Sequence, residues 1–327
     1  MVKYIFITGG VISSLGKGVT AASIGAMLES RKLKINIIKF DPYINIDPGT
    51  ISPIQHGEVF ITEDGSETDL DLGHYERFIS KKMEKKNNVT TGKIYNKVIK
   101  NERMGVYLGK TIQVIPHITD EIQKKILYTS KDYDISIIEI GGTIGDIESL
   151  PFLESIRQFK IKKKNKVIFL HLTFIPFLNT TKETKTKPTQ HSVKELRSVG
   201  ILPDIILCRG EKYISNNDRK KISMFTNVNI NSIFSIKDVN NIYEIPIYLY
   251  RKGLDRLILN KLNIKYKNSN LKKWYDIKNR IKNKKTKIKI HIVGKYLISS
   301  ESYKSLFEAI FHATTRLYIK IDLHYYL

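Results

Sequence analysis

The sequence predicts an α/β fold with a doubly wound, mostly parallel sheet, and two observations support this prediction. Six short apolar runs alternate with stretches of helical spacing, and two of these runs end at paired glycines. Apolar strands separated by helices are typical of a parallel sheet that is covered on both faces. Ligands of such sheets bind at the carboxyl ends of the strands, so the residues after each run are the first candidates for a site.

The elements follow one another from the N-terminal end. Gly9 and Gly10 end the first apolar run, and residues Ala21, Ile24, Gly25 and Leu28 then recur at helical spacing, which predicts a buried strand followed by a helix. The six predicted strands comprise residues 3–8, 34–40, 134–140, 166–172, 204–208 and 232–236.

The composition changes after residue 265. Residues 1–265 form the first predicted domain, and residues 266–287, rich in Lys, Asn and Ser, predict a basic linker. Residues 288–327 begin with an apolar run that is followed by Gly294 and a helical stretch. Because about forty residues are too few for an ordinary domain, we expect this segment to be the incomplete start of a second domain.

Composition limits the class of protein. A single cysteine among 327 residues excludes a disulfide framework, and no apolar run is long enough for a membrane span. These features favour a cytoplasmic protein with no membrane partner. The net charge of +23 could indicate nucleic-acid binding. Because the lysines are scattered and no nucleic-acid-binding motif is present, we favour a general lysine excess and expect no nucleic-acid partner.

A glycine-rich loop at residues 9–18, Gly-Gly-Val-Ile-Ser-Ser-Leu-Gly-Lys-Gly, lies between the first strand and the first helix. Backbone N–H groups, a helix N-terminus and Lys17 together suit a triphosphate. The match to the common phosphate loop is imperfect for two reasons. Five residues rather than four separate Gly10 from Gly16, and Gly18 stands where Ser or Thr is usual. The alternative is a structural glycine turn, and we favour phosphate binding.

Charged residues stand where the predicted strands end. Glu139 precedes a glycine pair, Lys39 lies beside Asp41, and Asp71 belongs to an Asp-Leu-Asp sequence. A few carboxylates with phosphate oxygens are what Mg²⁺ prefers. The alternative for each residue is a solvated surface charge. The eight histidines show no metal-binding spacing, so we expect no transition-metal site.

Polar blocks of this sequence resemble the CTP synthase family, and specifically its synthetase (amidoligase) domain. Their order and spacing agree from Tyr4 to about Leu262, whereas residues 287–322 resemble only the start of the family's glutaminase domain. The matching blocks are residues 9–18, 39–50, 52–58, 62–65, 67–78, 113–119, 139–154 and 185–195.

The resemblance implies a phosphate-loop sheet of the dethiobiotin synthetase-like type and a ligase that converts UTP to CTP. The family transfers the ATP γ-phosphate to O4 of UTP, and ammonia then displaces phosphate at C4. Implied ligands are ATP as co-substrate, Mg²⁺, and CTP as feedback inhibitor, in a homotetramer. We expect ammonia rather than glutamine to be used by this chain alone, with a separate glutaminase as a possible donor and no activation by GTP. The alternative is an inactive or subunit-only fragment.

Residue roles are carried over from the family position by position. Lys17 and Lys39 are the expected catalytic residues, and Asp71 and Glu139 the expected Mg²⁺ ligands. ATP is expected to contact Ser14, Leu15, Gly16, Lys17, Gly18, Val19, Asp71, Lys237, Asp238 and Val239. UTP or CTP is expected at Ser13, Asp146, Ile147, Glu148, Lys185, Thr186, Lys187, Pro188, Thr189, Gln190 and Lys221. The ammonia entrance is expected at Pro53, His56 and Val59.

Each carried-over role has a plainer alternative. Ser13 could cap the loop, His56 could be an ordinary loop histidine, and Lys185, Lys187 and Lys221 could belong to the general lysine excess. Another phosphate-loop ligase is a further alternative, against which residues 185–190 argue. We favour the functional roles. Cys208 lies in an apolar run and is expected to be structural.

Overall fold

A computed structural model describes residues 1–326, and its centre is a seven-stranded sheet in which every neighbouring pair is parallel. The strands are β1 (Lys3–Gly9), β2 (Ile35–Asp41), β3 (Phe60–Ile61), β4 (Glu67–Thr68), β5 (Asn88–Thr90), β6 (Ile135–Ile140), β7 (Val167–Phe174), β8 (Phe177–Leu178), β9 (Glu183–Thr184), β10 (Ile205–Gly210), β11 (Ile233–Lys237), β12 (Thr286–Val293) and β13 (Ile319–Tyr326).

Twelve α-helices occur in the described residues, together with short 3₁₀ turns and a π-helical turn at Val114–Ile118. The helices are α1 (Lys17–Glu29), α2 (Pro53–His56), α3 (Asp71–Phe78), α4 (Thr91–Arg103), α5 (Thr119–Thr129), α6 (Leu150–Lys162), α7 (Lys187–Ser198), α8 (Asn216–Thr226), α9 (Ile245–Arg251), α10 (Leu254–Lys261), α11 (Lys272–Lys282) and α12 (Lys304–Arg316). None of the helices within residues 1–326 is long and apolar enough to cross a membrane.

The strand order of the large sheet is β11-β10-β7-β1-β6-β2-β5. The α/β prediction is confirmed, and all six predicted strands are present. The sequence pattern missed β5, because this edge strand has only three residues, two of them polar. Its Asn88 donates a hydrogen bond to Asp41 at 2.8 Å, so side-chain bonds rather than an apolar run hold it.

Both faces of the sheet are buried, as the doubly wound pattern requires. In β1, Ile5 and Ile7 belong to one apolar core, whereas Tyr4 and Phe6 belong to the core on the other face. Because successive side chains of a strand point to opposite faces, a strand buried on both sides has few polar residues. Polar residues inside the strands, such as His171, are themselves buried, and the charged residues of the site lie near the carboxyl ends of their strands.

The segment predicted as a basic linker contains a helix. Trp274 of α11 is buried and packs against Phe78, with ring centroids 5.2 Å apart. The lysine-rich composition concealed this element, because Leu271 and Trp274 are the only two residues of the segment that are buried. The domain boundary at residue 265 stays a prediction.

The last strands and helix form a separate small layer. β12 pairs in parallel with β13, from Thr286 opposite Ile319 to Val293 opposite Tyr326. Helix α12 joins this layer to the large domain, since Tyr243 donates a hydrogen bond to Glu308 at 2.6 Å and stacks on Phe311. The segment predicted as the start of a second domain is thus packed against the first one.

Candidate functional site

The glycine-rich loop connects β1 to α1 at the carboxyl edge of the sheet. Val11 and Ser14 adopt positive φ angles of 85° and 53°, so the chain turns sharply before Lys17 begins the helix. Ser13 and Ser14 are exposed, whereas Leu15 is buried and anchors the loop. The loop therefore presents its polar residues and the amide end of α1 to solvent, as phosphate binding requires.

Lys17 points from the loop towards the neighbouring strand end. Its Nζ donates a hydrogen bond to the carbonyl oxygen of Gly142 at 2.6 Å. Burial lowers the pKa of Lys17, while Glu139, Asp71 and Asp146 act in the opposite direction. The side chain thus lies between the phosphate loop and the carboxylates of the next strands.

Lys39 is the centre of a buried charge cluster. Its Nζ lies 3.2 Å from Glu139 Oε1, 3.7 Å from Asp41 Oδ1 and 3.8 Å from Asp69 Oδ1, and it also forms a short ion pair with Asp71. These residues come from β2, from β6 and from residues 69–71, which lead into α3, and the fold brings the three segments together. Four carboxylates therefore surround one lysine.

The pKa values in this cluster follow from burial and charge. Burial raises the pKa of Asp69 to about 7 and that of Asp41 to about 6, although Lys39 opposes both shifts. Burial would lower the pKa of Lys39, but the carboxylates together raise it well above its usual value. Lys39 is therefore protonated at every physiological pH.

The donor set suits a divalent cation. Four carboxylates (Asp41, Asp69, Asp71 and Glu139) against two lysines (Lys17 and Lys39) leave two excess negative charges when all are ionised. Asp71 and Glu139 converge on one point, the ammonium of Lys39. Within residues 1–326 no three His, Cys, Asp or Glu side chains form a complete metal cage. Mg²⁺ does not need one, because it is usually held by one or two carboxylates with water and phosphate oxygens.

Tyr75 and Gly18 explain how the two predicted metal ligands are placed. The Tyr75 hydroxyl donates a hydrogen bond to Glu139 Oε2 at 2.5 Å, which orients that carboxylate. A Cβ atom on residue 18 would lie 2.1 Å from Asp71 Oδ1, so only glycine allows Asp71 to approach the loop. The departure from the common phosphate-loop sequence is thus structural, because Asp71 fills the space that Ser or Thr would need.

Six of the ten residues predicted to contact ATP line one cavity, and Ser14, Lys17, Gly18 and Asp71 are not among its lining residues. Its volume is about 100 Å³, and its walls include Leu15, Gly16 and Val19 from the loop and helix together with Lys237, Asp238 and Val239 after β11. Sequence reasoning missed Arg209 in this cavity. Arg209 donates to the Leu15 carbonyl oxygen and to Asp238 Oδ1, both at 2.8 Å, and so ties the loop to the far wall. The sequence feature that could have identified Arg209 is its position near the end of an apolar strand, where ligands of parallel sheets bind.

The residues predicted to contact the pyrimidine nucleotide lie in three neighbouring segments. Asp146, Ile147 and Glu148 are exposed on the loop after β6, which bonds to the phosphate loop through Ile144 N and Gly9 O at 2.9 Å. The six residues from Lys185 to Gln190 end a hairpin and begin α7. Lys221 lies on α8, which packs against α7, and together with Lys185 it lowers the pKa of Glu183. Ser13 belongs to the phosphate loop itself.

The predicted ammonia entrance lies beside the charge cluster. His56 Nε2 is 3.5 Å from Asp69 Oδ2, and Pro53 and Val59 are partly buried on either side of it. The C-terminal layer contacts the same loop, which the sequence did not predict. Glu58 accepts a hydrogen bond from the backbone N–H of Ser305 at 2.8 Å, and Ser302 Oγ donates to the Pro53 carbonyl oxygen at 3.1 Å.

Comparison with known proteins shows the family to which this chain belongs. The family model for the CTP synthase N-terminus matches residues 3–264. A CTP synthase of Wigglesworthia glossinidia brevipalpis is 59% identical over 323 residues, which are 98% of this chain and 59% of that protein. The chain therefore spans less than two thirds of the length of this relative.

One solved structure illustrates a slight similarity of fold. The crystal structure of the signal recognition particle receptor FtsY from Elizabethkingia anophelis in complex with GDP matches with a TM-score of 0.33 and 12% sequence identity. The match covers 64% of this chain and 49% of that chain. A likeness of this size carries no argument about the chain.

Proposed function

Because this chain belongs to the CTP synthase family through the N-terminal domain at residues 3–264, we propose that it aminates UTP to CTP at the expense of ATP. The observation that carries the proposal is the cluster of Lys39 with Asp71 and Glu139, beside the phosphate loop and Lys17. This cluster combines fixed positive charge with carboxylates at the place where a triphosphate would end.

The first proposed step is transfer of the ATP γ-phosphate to O4 of UTP. Phosphoryl transfer depends mainly on positioning and on neutralising charge on the transferred group. Lys17 and Lys39 are proposed to supply that charge, and the carboxylates around Lys39 keep its ammonium protonated and fixed in place. Asp71 and Glu139 would hold Mg²⁺, which when bound neutralises phosphate charge.

The second proposed step is attack of ammonia on C4, with phosphate as the leaving group. Pro53, His56 and Val59 are the proposed entrance, and the proposal is supported by His56, which lies 3.5 Å from Asp69 of the charge cluster. The sole cysteine in the 327 residues, Cys208, is buried, and burial raises the pKa of its thiol to about 12. A thiol of this kind is a poor nucleophile, so we propose that residues 1–327 by themselves use ammonia rather than glutamine.

The nucleotides are proposed to occupy the two sides of the phosphate loop. The cavity between the loop and residues Lys237, Asp238 and Val239 would hold the ATP base, with Ser14 and Gly18 near the phosphates. UTP, or CTP as inhibitor, would lie between Ser13, the 146–148 loop and the start of α7. Lys185 and Lys187 at the start of α7 and Lys221 on α8 would supply positive charge to this second position.

Assembly into a homotetramer is part of the proposal. The segment from the end of α4 into the π-helical turn exposes Met104, Val106, Leu108, Val114 and Ile115, and Leu108 is 88% exposed. Contiguous exposed apolar side chains on a charged protein are typical of an interface. Analytical ultracentrifugation with and without UTP and MgATP tests this, and a monomer under all conditions would contradict it.

Activity is tested by measuring CTP formation from UTP and MgATP, with ammonium chloride in one reaction and glutamine in another. Product with ammonium alone is the expected result. Product with glutamine alone would contradict the proposed nitrogen source. No product from folded, assembled protein in either reaction would contradict the proposed activity and leave a subunit without activity of its own.

A further inference from the structure

A chain of hydrogen bonds lies under the phosphate loop, and none of the roles proposed above uses it. Thr8, His171 and Ser192 are 2%, 0% and 4% exposed. Thr8 Oγ1 lies 2.8 Å from His171 Nδ1, and His171 Nε2 lies 2.7 Å from Ser192 Oγ. These three residues are called the buried bridge below.

The buried bridge joins the two proposed nucleotide sites. Thr8 directly precedes the glycines of the phosphate loop, and Ser192 lies on α7, two residues after Gln190. The contact is close, because a Cβ atom on Gly10 would lie 1.7 Å from Ser192 Oγ. The loop and the helix are therefore in direct contact at Gly10 and Ser192, and they cannot approach each other more closely.

An imidazole ring fits this position for a chemical reason. A neutral histidine has one ring nitrogen that donates and one that accepts, and each neighbouring hydroxyl can do either. Both ring nitrogens are thus satisfied with no charge in the core. Burial, together with the charge of nearby Lys17, lowers the pKa of His171 to about 3, which keeps the ring neutral. An apolar residue of similar size would leave both hydroxyls without this partner.

We infer that His171 is a positioning residue. It holds the phosphate loop at a fixed distance from α7, so that the γ-phosphate of ATP lies next to O4 of UTP. The inference rests on the proposed function. Reacting groups must lie within about 3–3.5 Å of each other, and a misplacement of about 1 Å can cost 10²-fold in rate. A bridge that spans both sites is well placed to prevent such a shift.

A neighbouring pair of hydroxyls provides a matched control. Thr189 Oγ1 of α7 donates to Thr173 Oγ1 of β7 at 2.9 Å, and both side chains are buried. Thr173→Val therefore removes a buried hydrogen bond between the same strand and the same helix without touching β1 or the phosphate loop. A purely structural role for His171 predicts that the two kinds of variant behave alike.

The test measures ammonia-driven CTP formation and thermal unfolding of the full chain for His171→Leu, Thr8→Val, Ser192→Ala and Thr173→Val. For His171→Leu we expect kcat to fall about 30- to 100-fold, with KM values for UTP and ATP changed less than threefold. His171→Gln can still donate and accept hydrogen bonds, and its kcat should be at least tenfold higher than that of His171→Leu. Thr173→Val should lower the unfolding temperature and, because Thr189 is an expected UTP contact, alter at most the KM for UTP while kcat stays within twofold.

The double variant Thr8→Val with Ser192→Ala distinguishes a bridge from two separate contacts. Because either change breaks the same chain of bonds, we expect the double variant to lose no more kcat than the more damaging of the two single variants. Multiplicative losses would overturn the inference, as would a folded His171→Leu enzyme with normal kcat. If His171→Leu does not fold, the hydroxyl variants decide the question. A folded wild-type chain that makes no CTP would instead contradict the proposed function and not the inference about His171. Calorimetry of UTP binding to the wild-type chain would distinguish these two failures.

Discussion

Asp71 occupies the space that a side chain at position 18 would need, since its Oδ1 lies 2.1 Å from the ideal Cβ position of Gly18. Ser at this position, as in the common phosphate loop, should therefore push Asp71 away from Lys39 and Glu139. Because a displacement of about 1 Å can cost 10²-fold, Gly18→Ser should lower ammonia-dependent kcat about a hundredfold. Steady-state CTP formation measures this.

Gly294→Ala is the matched control for that substitution. Its nearest neighbour would be Tyr303 at 3.8 Å, an ordinary contact, and it lies outside the charge cluster. It should retain kcat within twofold. An active Gly18→Ser enzyme would show that Asp71 is not needed close to the loop.

Lys17→Ala should lower turnover by about two to three orders of magnitude. Removing one preorganised charge from a transition state costs about 2.7–4 kcal/mol, and each 1.36 kcal/mol is a factor of ten. Single-turnover measurements of UTP phosphorylation would locate the loss at the first step. Lys82→Ala, which removes an exposed lysine paired with Glu63, is the control and should leave turnover unchanged. Near-normal turnover of Lys17→Ala would contradict its proposed role.

His171 should make the free energy of unfolding depend on pH. Its pKa is lowered to about 3 in the folded protein, mainly by burial, whereas an unfolded histidine titrates near 6.5. The unfolded state therefore binds the proton first, and stability is lost as pH falls below about 6.5. Between pH 7.5 and pH 5.0 this loss amounts to about 2 kcal/mol.

Urea unfolding at both pH values tests that prediction in the wild type and in His171→Gln. The wild type should lose about 2 kcal/mol more than the variant over this interval. His191→Gln replaces an exposed histidine of α7 and controls for the loss of a histidine as such. Equal losses in the wild type and His171→Gln would mean that the ring is not buried and neutral.

Glu58→Ala should loosen both the C-terminal layer and the proposed ammonia entrance. Glu58 accepts from the N–H of Ser305, in the first turn of α12, where backbone amides have no partner within the helix. Loss of such a cap costs about 1 kcal/mol. Hydrogen exchange of the first turn of α12 should quicken about fivefold, and the apparent KM for ammonia should rise while the KM for UTP stays constant. Glu58→Gln keeps a hydrogen-bond acceptor, so its effects on hydrogen exchange and on the KM for ammonia should be smaller. An unchanged exchange rate in Glu58→Ala would contradict the contact between Glu58 and Ser305.

The sequence alone determined the order of the elements. Six strands and the helix after the phosphate loop follow from apolar spacing and glycine, because strands buried on both faces tolerate few polar residues. The polar blocks identified the family, and they also selected Lys17, Lys39, Asp71 and Glu139. What the pattern could not show was an element held by few apolar residues. Strand β5 depends on side-chain bonds such as that of Asn88, and α11 depends on Trp274 within a lysine-rich segment.

Only the tertiary structure decided which distant residues meet. The four carboxylates around Lys39 come from three segments of the chain, and Arg209 reaches Leu15 across 194 positions. The buried bridge of Thr8, His171 and Ser192 has no sequence signature, because each residue alone is an ordinary core or helix residue. The sequence fixes side-chain chemistry through local spacing, whereas the parallel sheet brings the strand ends together and so creates the charges, cavities and bridges that act jointly.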